Sequence, residues 1–228
     1  MAELKRAVLG RVSGSIGNIT GRIKRGKNYI SARPSSFIPG KDPASIERRR
    51  KFKLALEFGL AIIQNSPDLK LIWQKATRGL MGPHNLIVKQ NYKLIGQDGY
   101  SDLNFIAPSG GFPVTVNSFE INNGIFTSVF ASLGNPDSFD LELEKSVKLI
   151  HLVYNSDPNL EGIDAYSFQL IESPGILLQL ENPLTFTITL NSVQESLYSK
   201  YDSHKFYSVL ITLDSGSVPV SYSQTIAR

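Results

Sequence analysis

The chain has 228 residues, enough to bury a sizeable core in one large domain or two small ones. Hydrophobic content of 41%, charged content of 19%, 18 Gly and 12 Pro fit a β-rich, loop-rich protein better than a helix bundle. The absence of cysteine excludes disulfides, thiolate metal sites and cysteine nucleophiles, and the net charge of +4 hides a sorting: residues 1–100 hold 19 Lys+Arg against 6 Asp+Glu, residues 101–228 hold 5 against 14.

The N-terminus starts charged, but the apolar run Ala7-Val8-Leu9 is too short for a signal-peptide core. The longest apolar stretch, Leu54 to Ile63, is interrupted by Glu57 and is about half of what spans a bilayer. The expectation is a soluble protein without membrane insertion. It would be cytoplasmic before assembly, with a virion or other extracellular particle as its further destination. Asn18-Ile19-Thr20 matches a glycosylation sequon, which chance explains when no export signal precedes it.

Residues 1–41 hold glycines at 10, 14, 17, 21, 26 and 40, too many for a helix. Single apolar residues stand between them: Val12, Ile16, Ile19, Ile23, Tyr29 and Ile30. The stretches 19–24 and 27–32 flank Arg25-Gly26, which reads as a hairpin turn in a basic, twisted β-ribbon. Its core is thin, so it needs something to lie against. After the linker 34–40, Asp42 and Pro43 read as N-cap and first residue of a helix over 43–64. Ile46, Arg50, Leu54, Phe58 and Ile62 recur every four residues along it. Its first turns carry Arg48, Arg49, Arg50, Lys51 and Lys53, cations that oppose the helix dipole. Ser66-Pro67 starts a second helix that stops at Gly79, and Pro83 a third that ends at Gly96.

From residue 101 the pattern changes to short Val-, Ile-, Thr-, Phe- and Tyr-rich runs. Strands are predicted at 112–121, 124–132, 138–144, 146–154, 164–171, 176–181, 184–190, 205–213 and 217–226. Asn122-Asn123-Gly124, Asn135-Pro136-Asp137 and Asp214-Ser215-Gly216 are turn signals. The expected fold class is α+β: a basic ribbon or arm (1–41), a helical segment (42–100) and an acidic, antiparallel β-sandwich of immunoglobulin-like type (101–228). The disulfide-and-tryptophan core of antibody domains is missing, since Cys is absent and the lone Trp73 precedes the sandwich.

The run Gly10-x-x-Ser13-Gly14-x-x-Gly17-x-x-x-Gly21, then Gly26-x-x-Tyr29 and Pro34, resembles the opening of a bacterial family of unknown function. In that family a Gly-rich basic hairpin precedes a helix that begins polar and turns apolar. A β-domain with a Ser-x-Ser pattern in its last strand follows, here Ser221-Tyr222-Ser223, preceded by the run from Lys148 to Asn155. The resemblance implies a two-part architecture and brings no catalytic residues. Residues 97–145 match it least.

Several motifs invite chemistry. Gly21 to Asn28 approaches a phosphate-binding loop, but Asn28 replaces the hydroxyl that would bind magnesium, and strand follows where a helix should. A basic hairpin turn is the simpler reading. Asp157-x-Asn159-x-Glu161-Gly162 resembles half a calcium loop, yet Ala165 and Phe168 stand where later ligands belong, so a strand-connecting loop is expected. His84, His151 and His204 are far apart, and His151 within an apolar strand reads as a satisfied core histidine. No Gly-x-Ser-x-Gly elbow is present. Asp140, Glu142 and Glu144 alternate and read as an acidic patch on one strand face. Aromatic platforms for sugars are not evident in the predicted loops.

The strongest signal is basic: Arg22, Lys24, Arg25, Lys27, Tyr29 and Arg33 on or beside the ribbon, and Arg48 to Lys53 on the helix, with Phe37 between. These residues would bind a partner or nucleic acid, or simply form a solvated face. The overall reading is a non-enzymatic structural protein without cofactor or metal. It would self-associate through the basic arm and the acidic domain into a virion, tail or surface-type lattice. The alternatives are nucleic-acid binding through the basic segment and a β-sandwich that binds a ligand or carbohydrate.

Overall fold

Gly26, at φ 76°, takes the left-handed backbone that the turn between two basic strands requires. The structure is a computed structural model. It describes residues 2–3, 13–24, 26–32, 36, 38–79, 81–97, 99–134 and 138–228, with the backbone alone at Ala2, Glu3 and Lys24. The chain forms two units, 1–49 and 50–228, and the division falls inside the first helix.

In the first unit, strands β1 (Ala2–Glu3), β2 (Gly14–Ile16), β3 (Ile19–Lys24) and β4 (Lys27–Ala32) form an antiparallel sheet in the order β1-β4-β3-β2. β3 and β4 pair from Ile19↔Ala32 to Lys24↔Lys27, the hairpin read from the sequence. The P-loop-like stretch is this hairpin. Helix α1 (Pro43–Asn65) starts where Asp42 Oδ1 accepts the Ser45 N–H at 2.9 Å. Ser45's hydroxyl and N–H hold the Asp42 carboxyl below its ordinary value.

In the second unit α1 continues into α2 (Pro67–Ala76), α3 (Pro83–Asn91) and a 3-10 turn at Tyr92–Leu94. Strands β5 (Val116–Asn122), β6 (Ile125–Phe130), β7 (Ser146–Pro158), β8 (Tyr166–Glu172), β9 (Ile176–Leu177) and β10 (Leu184–Thr189) follow. Helix α4 (Ser192–Tyr198), β11 (Tyr201–Leu213), β12 (Pro219–Tyr222) and β13 (Ile226–Ala227) close the described chain. A three-stranded sheet runs β10-β6-β5. A six-stranded sheet runs β12-β11-β7-β8, with β13 on β11 and β9 on β7. All of its ladders are antiparallel.

The long strands β7 and β11 pair from Tyr201↔Pro158 to Leu213↔Ser146 and send alternate residues to opposite faces. Val147, Leu149, Val153, Phe206 and Leu210 share a core with Phe126, Phe130, Leu184, Phe186 and Ile188 of the small sheet. Ile150, Leu152, Tyr207, Val209 and Ile211 share another with Phe58, Ile62, Leu69, Ile72, Trp73 and Ile87 of the helices. The unit is therefore three layers: helices, large sheet, small sheet. Burial on both faces explains the near-continuous apolar reading of β7. Six fully buried helical side chains at about 2 kcal/mol each rival the whole net stability of an ordinary domain. The helices and residues 101–228 thus share one core.

Several expectations change. Residues 138–144 are turns and not a strand. Asp140 Oδ1 accepts the N–H groups of Glu142 and Leu143 at 3.0 and 3.2 Å, and this local capture overrides the alternating pattern. The 176–181 strand shrinks to β9, and the last strand divides into β12 and β13. α4 has no counterpart among the expected elements, although Asn191 and Gln194 form a reciprocal capping box. The turn signal at 135–137 lies outside the described residues.

Irregular backbone at 95–97 and 99–112 is held by side chains. Trp73 Nε1 donates to Ile106 O at 2.7 Å, and Asn91 Oδ1 accepts from Asn104 Nδ2 and Phe105 N at 3.1 and 3.0 Å. Thr225 Oγ1 accepts from Ile106 N and Ala107 N at 3.0 and 3.2 Å.

Candidate partner-binding surface

The arm sheet is two-faced by register. Arg22 lies opposite Tyr29, Thr20 opposite Ser31, and Lys27 follows on the same face. Ser15 and Thr20 hydroxyls meet across the strands at 3.4 Å on that face. The other face carries Ile16, Ile19 and Ile23, exposed by 79, 47 and 41%, beside the half-buried Ile30 and the buried Gly21 and Asn28, so its centre is covered and its isoleucine side is open. Lys24 pairs with Lys27 through the backbone, while Arg25, Arg33 and Phe37 lie outside the described residues.

The cations of α1 differ in what they do. Arg48 Nη2 donates to Ser45 Oγ at 2.7 Å within the exposed first turns, and Arg49 is exposed. Arg50 is half-buried and donates to Gly96 O at 2.7 Å, which ties α1 to the segment after the 3-10 turn. Lys51 is half-buried; Lys53 is exposed and 3.8 Å from Glu57, a surface pair worth at most about 1 kcal/mol. Ile46, counted on the apolar face, is 51% exposed, so burial begins only at Leu54.

The acidic patch is not one strand face. Asp140 and Glu142 are exposed, but Glu144 is only 5% exposed and accepts from Ser221 Oγ at 3.0 Å. Asp140 spends Oδ1 on its own turn. Ser221 also meets Thr212 Oγ1 at 2.7 Å, and Ser223 Oγ accepts from Leu210 N at 2.9 Å. The Ser-x-Ser pattern thus supplies hydroxyls where the β11–β12 register shifts. In the calcium-like loop, the Asn159 amide donates to Ser199 O and Asp202 Oδ1 at 2.9 and 3.3 Å, so that loop braces the start of β11.

The buried ionisable groups serve packing. His151 Nδ1 meets Ser208 Oγ at 2.7 Å among Phe119, Phe126 and Phe206, the satisfied core histidine expected. Burial pushes it down to about 3. His204 stacks on Tyr198 at 3.6 Å and shares a hydrogen bond with Asn155 Oδ1; burial lowers it too. Lys148 lies 2.9 Å from Asp68 and 2.5 Å from Glu172, and Ser66 Oγ donates to Glu172 Oε1 at 3.0 Å. Burial works against the Lys148 charge, and the two carboxylates outweigh it and raise the ammonium. This cluster locks the start of α2 onto β7 and β8.

An aromatic group on the helix side of the large sheet was missed from the sequence. Phe58, Tyr100, Tyr154, Tyr166, Phe168 and Tyr207 meet at ring distances of 4.8–6.2 Å, mostly edge to face. Tyr166 donates its hydroxyl to Glu57 Oε2, and burial raises the Tyr100 and Tyr166 hydroxyls. Tyrosine or phenylalanine on one face of three neighbouring strands was the available signal. Among the described residues, no helix is long and apolar enough to cross a membrane, and no group of three or more His, Asp or Glu could hold a metal. No protein-family model matches the chain, and no curated protein matches it.

Proposed function

We propose that this protein is a non-enzymatic structural subunit that self-associates, its basic arm docking on the acidic part of a second copy. The observation that carries this reading is the two-faced arm sheet, with Arg22, Lys27 and Tyr29 on one face and exposed isoleucines on the other. Residues 1–49 hold 11 Lys+Arg against 3 Asp+Glu, and residues 50–228 hold 13 against 17, so arm and body of neighbouring copies attract. The cationic face and the exposed isoleucines beside the buried Gly21 and Asn28 give the sheet surface for two contacts. Head-to-tail use of such an arm builds rings or open arrays, the geometry of a virion, tail or surface lattice. The immunoglobulin-like likeness belongs to this proposal, supported by two antiparallel sheets that face each other across one core. So does membership of the bacterial family that the Gly-rich opening resembles.

The second reading is nucleic-acid binding, favoured by Arg22 directly across from Tyr29, a cation beside a stacking ring. Light scattering of the full chain across salt, with and without DNA or RNA, separates the two. Assembly predicts large species at low salt without nucleic acid, lost at high salt. Nucleic-acid binding predicts small species that bind DNA or RNA with a steep salt slope. A small species at every salt that ignores nucleic acid would falsify both. Arg48→Glu with Arg49→Glu should weaken association; Arg50 is unsuitable because it braces Gly96.

A further inference from the structure

The sheet edges of this chain are not alike. The arm sheet ends in strands of two and three residues. β5 carries a register shift between Val116 and Ser118, exposes Glu120, and has Val116 O taken by Arg228 Nη2 at 3.3 Å. On β8, Leu170 O is taken by Gln194 Nε2 at 3.4 Å. Beside β12 and β13, Phe112 bridges in parallel, with Phe112 N donating to Tyr222 O at 3.0 Å and Gln224 N to Phe112 O at 2.9 Å. Most of these edges are short, bulged or bridged, and β8 carries Glu172 at its end beside the one carbonyl that Gln194 takes, devices of the kind that blunt a sheet edge.

β10 carries none of these devices. It pairs with β6 alone among the described strands, in a regular register from Leu184↔Phe130 to Thr189↔Ile125. Its sequence, LTFTIT, holds no charge, no proline and no glycine. Leu190 N donates to Gly124 O at 2.9 Å, which fixes the phase of the ladder. Leu184, Phe186 and Ile188 therefore turn their backbone groups to β6. Thr185, Thr187 and Thr189 turn theirs away from it. The same alternation buries Leu184, Phe186 and Ile188 in the core and exposes the three threonine side chains.

We infer that the β10 edge pairs with the β10 edge of a second copy, antiparallel about a two-fold axis at Thr187. In that register Thr187 faces Thr187, and Thr185 faces Thr189, in both directions. The outward N–H and C=O groups of all three threonines are then paired, as six backbone bonds. Thr stands opposite Thr on the outer face, a favourable cross-strand pair, and no like charges meet. The two three-stranded sheets merge into one of six. An unrelated peptide could use the same backbone groups, but the symmetric register is one the chain supplies itself. The inference uses no arm residue, so it stands or falls apart from the proposed function.

The test is sedimentation of the full chain at high salt, which screens the arm charges. A salt-resistant dimer is expected. Thr187→Pro removes the outward N–H from each copy and should weaken the dimer roughly 10- to 100-fold. Thr187→Lys sets like charges across the axis at an exposed position and, read at low ionic strength by concentration-dependent amide exchange, where that repulsion is unscreened, should weaken the pairing too, with an unchanged circular dichroism spectrum. If Thr187→Pro does not fold, Thr187→Lys and amide exchange decide. The amides of Thr185, Thr187 and Thr189 should gain protection as the wild-type chain is concentrated. A monomer at every concentration, a dimer equally tight in Thr187→Lys, or threonine protection independent of concentration overturns the inference. Salt-sensitive large species without the salt-resistant dimer would leave the arm reading standing and sink this one. The reverse result would do the opposite.

Discussion

His151 sits 1% exposed between the two sheets of the second unit, ringed by Phe119, Phe126 and Phe206. Burial pushes its imidazole from 6.5 down to about 3, so it is neutral in the folded chain. The folded value lies below the unfolded one, and the unfolded chain takes up the proton first as pH falls. The contribution to stability is fully present above the unfolded value of 6.5 and is lost between there and about 3. The loss runs at about 1.4 kcal/mol per pH unit, hence about 2 kcal/mol by pH 5 and about 5 kcal/mol in all. His204 is lowered as well, burial being its largest cause, and adds in the same direction. Between pH 7 and pH 5, histidine is the side chain whose ordinary titration falls in the range. Urea unfolding at pH 7 and pH 5, read from the emission of the fully buried Trp73, measures the difference. His151→Gln should begin less stable at pH 7 and lose much less between the two values. Equal losses in wild type and variant would refute the reasoning.

Other substitutions probe the same scaffold. Gly111→Ala would set a Cβ 2.7 Å from Tyr222 O and against the Ser223 carbonyl, all backbone, so a loss of at least about 2 kcal/mol is expected; an unchanged melting temperature would contradict it. Lys148→Met leaves Asp68 and Glu172 without their shared ammonium and should cost about 2 kcal/mol in urea unfolding. Adding Glu172→Gln should restore part of that, and no restoration would mean the carboxylates do not repel there. Asn91→Leu leaves Phe105 N and the Asn104 amide without their partner, and a loss of about 3 kcal/mol is expected. A loss under about 1 kcal/mol would mean that water replaces them.

The elements that could be read from the sequence are those fixed by neighbours in the chain. Arg25-Gly26 marked the hairpin because a two-residue turn needs positive φ, and Asp42-Pro43 and Ser66-Pro67 marked helix starts because caps act over three residues. Residues 138–144 depart from their alternating pattern for the same local reason: the Asp140 carboxylate captures the Glu142 and Leu143 N–H groups, a contact that alternation does not register. The segments 95–97 and 99–112 were illegible because their bonds come from Asn91, Trp73 and Thr225, the last more than a hundred residues away. For the candidate surface, sequence located the cations but not their employment. Arg50 looks like Arg49 until Gly96 O is seen to accept from it, and Glu144 looks solvated until Ser221 reaches it from 77 residues on.

The pairing of β7 with β11 also sets a timetable. Both cores of the second unit draw on β11, which begins at Tyr201 and meets Ser146 only at Leu213. Both strands of the arm hairpin are synthesised by Ala32. At a synthesis rate of about 5–20 residues per second, roughly 10–40 s separate the two events. Throughout that interval the cations of the arm are out in solution while Trp73 and its neighbours still lack the strand that covers them. A nascent chain therefore offers its arm to solution before its body exists, and neighbouring ribosomes on one message offer several arms at once.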